Sequence, residues 1–224
     1  MQKILEEALG MILDEQVSAT GAGRTDAGVH AKVFCAHFDS IKPGLANDSR
    51  LVYRLNGYLP EDIAVKEIKK VVPDASARYS AISRTYTYYI SRRKDPFTTS
   101  FAWYLYGNID LDSMNRACRV LYDHSDFTSF SRLHSGSKSN ICRIYEAHWK
   151  EENGMLVFTI RADRFLRNMV RAVVGTMIGI GFGKTRTDEF EKIILARDRG
   201  MAGTSAPAKG LFLSDIEYPP EIFI

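Results

Sequence analysis

Segments of two hydrophobic periodicities follow one another along this chain, and that succession constrains the fold more than any single residue does. Ile4, Leu5, Ala8, Leu9, Ile12 and Leu13 recur at the spacing of one helix face. Residues 84–90 alternate instead, so that Arg84, Tyr86, Tyr88 and Ile90 share one side of a strand. The same reading predicts strands over residues 31–38, 63–72, 141–150, 155–162 and 211–218. It predicts helices over residues 51–58, 111–122 and 187–197, and a long one starting near Phe165. Strands interspersed with helices, several of them joined as hairpins, point to an α+β fold with mostly antiparallel sheet. The break after Pro73 is the best boundary, dividing the chain into residues 1–74 and 75–224.

Composition narrows the classes. A chain of 224 residues with 45% hydrophobic and 25% charged side chains can bury a sizeable core and is not of disordered composition. Residues 173–182 form the longest apolar stretch, about half of the ~18 residues a membrane span needs. The N-terminus lacks the charged, apolar and small-residue zones of a signal peptide, which argues against secretion and for the cytoplasm. Cys35, Cys118 and Cys142 are odd in number and form no Cys-x-x-Cys pair, as reduced thiols would. Five scattered histidines offer no zinc-site spacing, so no metal is expected. The net charge of +3 is mild, and its distribution matters more than its size.

The most unusual segment is Gly21-Ala22-Gly23-Arg24-Thr25-Asp26-Ala27-Gly28-Val29-His30-Ala31. Three glycines within eight residues let the backbone bend tightly and approach a ligand. Between them stand one guanidinium and one carboxylate. The plain structural explanation is a glycine turn carrying a surface Asp–Arg pair. A dinucleotide-binding loop fits less well, because this loop enters a strand and not a helix, and a Walker loop would need Gly-Lys-Ser/Thr.

Gly-Arg-Thr-Asp-Ala-Gly-Val-His-Ala resembles the signature of the TruA family of tRNA pseudouridine synthases. The resemblance extends along the chain, through Leu55-Asn56-Gly57-Tyr58-Leu59-Pro60, Ala77-Arg78-Tyr79-Ser80-Ala81, Asp126-Phe127-Thr128-Ser129-Phe130 and Phe165-Leu166-Arg167-Asn168-Met169-Val170-Arg171. It implies that Asp26 is the catalytic aspartate, acting as nucleophile or as base when the N1 glycosidic bond of uridine is broken and the uracil is rejoined through C5. A hydrolytic glycosidase would more usually use two carboxylates with a water between them. The motif loop supplies one, as suits an isomerase that keeps its base. No redox cofactor or metal is called for.

By the same resemblance Tyr86 is the active-site tyrosine, whose ring would stack on the uracil and whose hydroxyl would take part in proton transfer. Ordinary core packing accounts for Tyr88, Tyr89 and Ile90. Arg171 corresponds to the arginine that pairs with the catalytic aspartate, holding it in place. Residues 161–171 carry four arginines against one aspartate, a charge of +3 equal to that of the whole chain. On a helix beginning near Asp163, Arg164, Arg167 and Arg171 would share one side, with Arg164 and Arg167 facing phosphates or simply solvent. Arg132 and Lys138 lie in a second basic stretch for which RNA contact and a solvated loop are equally good explanations. A base inside a stem must be flipped out to be reached, and Arg24 is suited to fill the vacated space. His30 either orients the loop or packs at the start of its strand.

The family further implies two ferredoxin-like (RRM-like) halves around a central cleft. Residues 1–74 would carry the aspartate loop, and residues 75–224 the tyrosine and arginine. It implies a homodimer that modifies uridines 38–40 in the anticodon stem-loop of tRNA. Family members begin with a strand ahead of the first helix, and here Met1-Gln2-Lys3 already lies at that helix, so the N-terminal half is expected to lack its first strand. A catalytically weak or inactive RNA-binding relative is therefore an alternative reading. An enzyme that binds a nucleotide phosphate on the glycine loop is another, disfavoured by the loop-to-strand transition and the basic segments.

Overall fold

In the computed structural model, which describes residues 1–132 and 139–224, most of the periodic segments become the elements their spacing predicts. The helices are α1 (Gln2–Leu13), α2 (Ser49–Tyr58), α3 (Leu111–Val120), α4 (Met169–Gly181) and α5 (Thr187–Ala196). The strands are β1 (Ala19–Gly21), β2 (His30–Ala31), β3 (Ala36–Phe38), β4 (Ser83–Ser91), β5 (Trp103–Tyr104), β6 (Ile144–Glu152), β7 (Met155–Ala162) and β8 (Leu211–Glu217). The fold is α+β. The chain forms two compact units, each assembled from separated stretches: Met1–Arg24, Phe34–Ile82 and Tyr218–Ile224 in the first, Thr25–Val33 and Ser83–Glu217 in the second.

The first unit is built on α1 and α2. The Asp48 side chain accepts the Arg50 N–H at 2.9 Å and caps α2, satisfying one of the donors a helix start leaves open. Leu51 and Leu55, one turn apart, are 1% exposed and meet Ala8, Leu9 and Leu13 of α1, with Val17 and Leu59 closing the cluster. Beside them β1 and β3 form a short antiparallel pair, Ala19 opposite Phe38.

The second unit is a six-stranded sheet in the order β2-β8-β4-β7-β6, with β5 added beside the end of β4. Its central pairings, β8-β4, β4-β7 and β7-β6, are antiparallel, while β2-β8 and β4-β5 are parallel. Asn153 and Gly154 both take positive φ (52° and 75°), the geometry of the two-residue turn that matches strand twist, and so fix the β6-β7 register. Tyr88, Ile90, Phe158 and Ile160 point from the sheet into a core shared with α3, α4 and α5. Each is fully buried, contributing about 1.5–3 kcal/mol by area. α4 is apolar almost all round and lies deepest.

Three expectations are corrected. Residues 31–38 are not one strand. His30 and Ala31 pair with Phe212 and Leu213, whereas Ala36 to Phe38 pair with β1. The chain leaves one sheet and joins another within that stretch, which apolar character on both faces does not reveal. Residues 63–72 make no strand. The Asn56 side chain takes both backbone groups of Val65, donating to its carbonyl at 2.8 Å and accepting its N–H at 2.7 Å. Val71 makes a single bridge to Phe223. The Val72 N–H donates to the Ile222 carbonyl at 3.0 Å and the Ile224 N–H to the Lys70 carbonyl at 3.1 Å, so backbone pairing is confined to the end of the segment.

The third correction concerns the helix expected near Phe165. It starts at Met169, after Asn168 in the left-handed region at φ 68°. The Asp163 carboxylate accepts the N–H groups of Arg164 at 2.7 Å and Arg143 at 2.8 Å, a local alternative to helical bonding. Arg164 and Arg167 are therefore loop residues and form no helical stripe with Arg171.

Candidate active site

Asp26 stands in the loop that leads into β2. The Val29 N–H donates to the Asp26 carbonyl at 3.1 Å, and Gly28 between them has φ 79°. A turn with its third residue in the left-handed region favours glycine, which is why Gly28 follows the aspartate at this distance. His30 and Ala31 then lock onto β8, and the Lys32 N–H adds a bond to the Leu213 carbonyl at 2.8 Å. The sheet thus fixes the loop just beyond the carboxylate.

Arg171, in the first turn of α4, donates from Nη1 to Asp26 Oδ2 at 3.1 Å. Its Nε donates to the Ala206 carbonyl at 2.7 Å, while its own carbonyl accepts the Ala206 N–H at 2.9 Å. Both side chains of the ion pair are 21% exposed. Partial burial makes a charge-assisted bond of this kind stronger than a solvated surface pair. Arg167 approaches the other carboxylate oxygen, Nε to Oδ1 at 3.8 Å, with its side chain 56% exposed. Two guanidinium groups therefore flank one carboxylate, one tightly and one loosely.

Tyr86 lies on β4 at a register shift, where Thr85 pairs with Asp215 and Tyr86 with Leu213. Such a bulge re-aims the side chain beside it. The Tyr86 ring meets Phe165 edge-on at 5.1 Å. Burial pushes its hydroxyl up to about 12; Arg84 nearby works the other way, and the negative charge of Asp26 adds to the rise. Two residues on, the fully buried Tyr88 donates its hydroxyl to the Pro207 carbonyl at 2.7 Å.

The basic residues are organised around Asp163. Its carboxylate holds the backbone of Arg143 and Arg164, and its carbonyl accepts Arg84 Nη1 at 2.9 Å. The Arg132 N–H donates to the Arg167 carbonyl at 3.0 Å, so these two expected RNA contacts are neighbours. Arg132, Arg164 and Arg167 are exposed. Lys138 lies outside the described residues. Arg24 is exposed in the loop and belongs to the first unit. His30 stacks on Phe212 at 4.7 Å, meets Phe101 at 5.2 Å, and bonds through Nε2 to the Ser100 carbonyl at 3.1 Å.

The second unit thus brings together Asp26, Arg171, Tyr86 and Arg167. Sequence reasoning missed the Ala206 carbonyl, the Tyr88 hydroxyl and the Asp163 hub. Backbone groups leave no signature of their own. The available signal was the run of small residues over 202–208, where backbone can come close to other backbone.

The chain is similar to proteins of one family. Residues 117–219 match the family model described as tRNA pseudouridine synthase. The chain is 51% identical over 223 residues to tRNA pseudouridine synthase A of Parabacteroides distasonis, covering 100% of this chain and 88% of that protein. The protein of the same name from Bacteroides thetaiotaomicron is 48% identical over 226 residues, covering 100% and 83%. That of Caldicellulosiruptor bescii is 37% identical over 220 residues, covering 97% and 89%.

Proposed function

Because the chain belongs to the tRNA pseudouridine synthase family, and is by that membership an isomerase of tRNA uridine, we propose that Asp26 is its reacting carboxylate. The bond from Arg171 to Asp26 at 3.1 Å carries this reading. A carboxylate fixed by a half-buried guanidinium, beside a half-buried phenol, is oriented before substrate arrives.

In the isomerisation the N1–C1′ bond breaks with its electron pair leaving on the uracil. The ring turns, C5 bonds to C1′, the C5 proton is lost to a base, and N1 takes up a proton. Asp26 serves either as the nucleophile that holds C1′ meanwhile or as the base. Tyr86 acts as a neutral group. With its hydroxyl near 12, only about one molecule in 10⁵ would carry the phenolate at pH 7. It offers a ring face to the uracil and a proton to an oxygen. Arg171 holds Asp26 and is not itself consumed in the chemistry.

Arg164, Arg167 and Arg132 are read as phosphate contacts, with Lys138 and His30 as further candidates and Arg24 as the side chain that fills the space of the flipped base. Their support is exposure and the neighbourhood of Arg132, Arg167 and Asp26. The finer reading is of a cytoplasmic homodimer acting on uridines 38–40 of the anticodon stem-loop. In that reading residues 1–74 and 75–224 are ferredoxin-like halves supplying the aspartate loop and the Tyr–Arg partners.

The test is to incubate parent and Asp26→Asn with unmodified tRNA transcripts and map pseudouridine by chemical labelling. The parent should modify positions 38–40 and the variant none, with tRNA affinity within a few-fold. Turnover by the variant at more than a trace of the parental rate would reject Asp26.

A further inference from the structure

Residues 202–207 form neither helix nor strand, yet side chains bind them along their length. Arg199, in the short turn Arg199–Met201, folds back on this strap. Its Nη1 donates to the carbonyls of Ala202 and Gly203, both at 3.2 Å, and its Nη2 to Ser205 Oγ at 3.0 Å. Ser205 Oγ also accepts Asn168 Nδ2 at 2.7 Å. Asn168 is the residue from which α4 springs, three positions before Arg171. The Gly203 N–H donates to Thr176 Oγ1 at 2.9 Å, and that hydroxyl donates to the Ala172 carbonyl at 2.8 Å. At the far end Tyr88 holds Pro207.

The one strap residue that reaches the ion pair is Ala206, through its carbonyl on Arg171 Nε. That bond fixes the plane of the guanidinium and turns Nη1 toward Asp26. Three hydrogen bonds from two nitrogens of one arginine hold Ala202, Gly203 and Ser205, the last of them next to Ala206. A guanidinium is suited to this because its planar fork presents several donors in fixed directions. Backbone contact tightens the arrangement further. A Cβ placed on Gly175 would lie 1.8 Å from the Thr204 carbonyl oxygen.

We propose that Arg199 is a positioning residue for catalysis, acting on Asp26 through the strap, the Ala206 carbonyl and Arg171. The proposal rests on the reading of Asp26 and Arg171 as the reacting pair. Arg199 touches neither carboxylate nor substrate in this scheme; removing it lets the guanidinium of Arg171 lose its fixed plane.

A double-mutant cycle read by single-turnover rate tests it, using Arg199→Ala, Arg171→Ala and the double variant of the 224-residue chain, with tRNA affinity and melting temperature measured on each. Arg199→Ala should slow the step about tenfold or more, since small misplacements at a reacting centre are costly, with affinity within about twofold. In the Arg171→Ala background the same change should alter the remaining rate by less than about twofold, because coupled residues do not act additively. A parental rate in Arg199→Ala would overturn the proposal, and so would an equal slowing in both backgrounds, which marks mere support of the fold. Should Arg199→Ala fail to fold, Ser205→Ala enters the same cycle with the same expectations, since it removes the hydroxyl joining Arg199 to Asn168. A parental rate in Arg171→Ala would instead refute the catalytic pair, and the positioning role with it.

Discussion

Gly175→Ala isolates the close approach on which the strap depends. The new Cβ would meet the Thr204 carbonyl oxygen at 1.8 Å, with the Thr204 carbonyl carbon at 3.0 Å and the Ala206 nitrogen at 3.2 Å. All three are backbone atoms, so no flexible side-chain tip can move aside. α4 is held by the core, and the strap must therefore give way. Overpacking of this kind costs about 1–3 kcal/mol. Displacing Ala206 also weakens its two bonds to Arg171, at about 0.5–1.5 kcal/mol each. Against this, alanine gains about 1 kcal/mol over glycine within a helix. The net loss is about 1–5 kcal/mol, or roughly 2–4 °C of melting temperature per kcal/mol for a chain of this size. Gly57 in α2 is the control, because a Cβ there meets nothing within 4 Å. Thermal melts followed by circular dichroism should show Gly175→Ala melting several degrees lower and Gly57→Ala unchanged or slightly higher. A Gly175→Ala melt within a degree of the parent would refute the reasoning, because it would mean that the strap accommodates a methyl group without loss.

Arg164→Ala should weaken tRNA binding and reduce the slope of log affinity against log salt by about 1. Arg167→Ala should do the same and also slow turnover, since its Nε lies 3.8 Å from Asp26; filter binding at several salt concentrations beside single-turnover assays separates the two. Stability should fall on the alkaline side. The unfolded chain releases tyrosine protons near pH 10, whereas burial holds Tyr86 up to about 12 and raises Tyr88 as well. Between those values the unfolded state binds fewer protons, so stability declines as pH rises. Denaturant midpoints for Tyr86→Phe should show a shallower decline. Native protein exposed to a thiol reagent at neutral pH should label at half-buried Cys35 first. Cys118 and Cys142 are 2% and 0% exposed, with burial raising both thiols to about 12; mass spectrometry should find them modified only after unfolding.

What could be read in the sequence followed from local rules. The helix face of residues 1–13, the strand over residues 155–162 and the alternation in β4 each depend on a few neighbouring residues, and each became the expected element. The errors lie where a distant partner decides. Residues 31–38 split because β8 claims one end and β1 the other. Residues 63–72 form no strand because Asn56 takes the backbone of Val65 and pairing with residues 222–224 is confined to the far end of the segment. The α4 start moved because Asp163 captured two nearby N–H groups. In the site the charged and aromatic members, Asp26, Arg171 and Tyr86, were legible through motif and chemistry, and the structure brings them together. The Ala206 carbonyl was not, since any residue type carries one, and Arg199 bonds backbone whose position no local pattern encodes.

The parallel pairing of β2 with β8 has a consequence for how the site comes into being. His30 finds its strand partner, Phe212, far along the chain. During synthesis the aspartate loop leaves the ribosome well before β8. Until then the loop lacks the sheet edge that holds it, and Arg171 lacks the Ala206 carbonyl that directs it. Chain closure over so long a separation is slow compared with the formation of local helices. The Asp26 carboxylate is therefore made well before it is put in place, and a nascent chain can expose its basic segments to RNA before the loop is fixed.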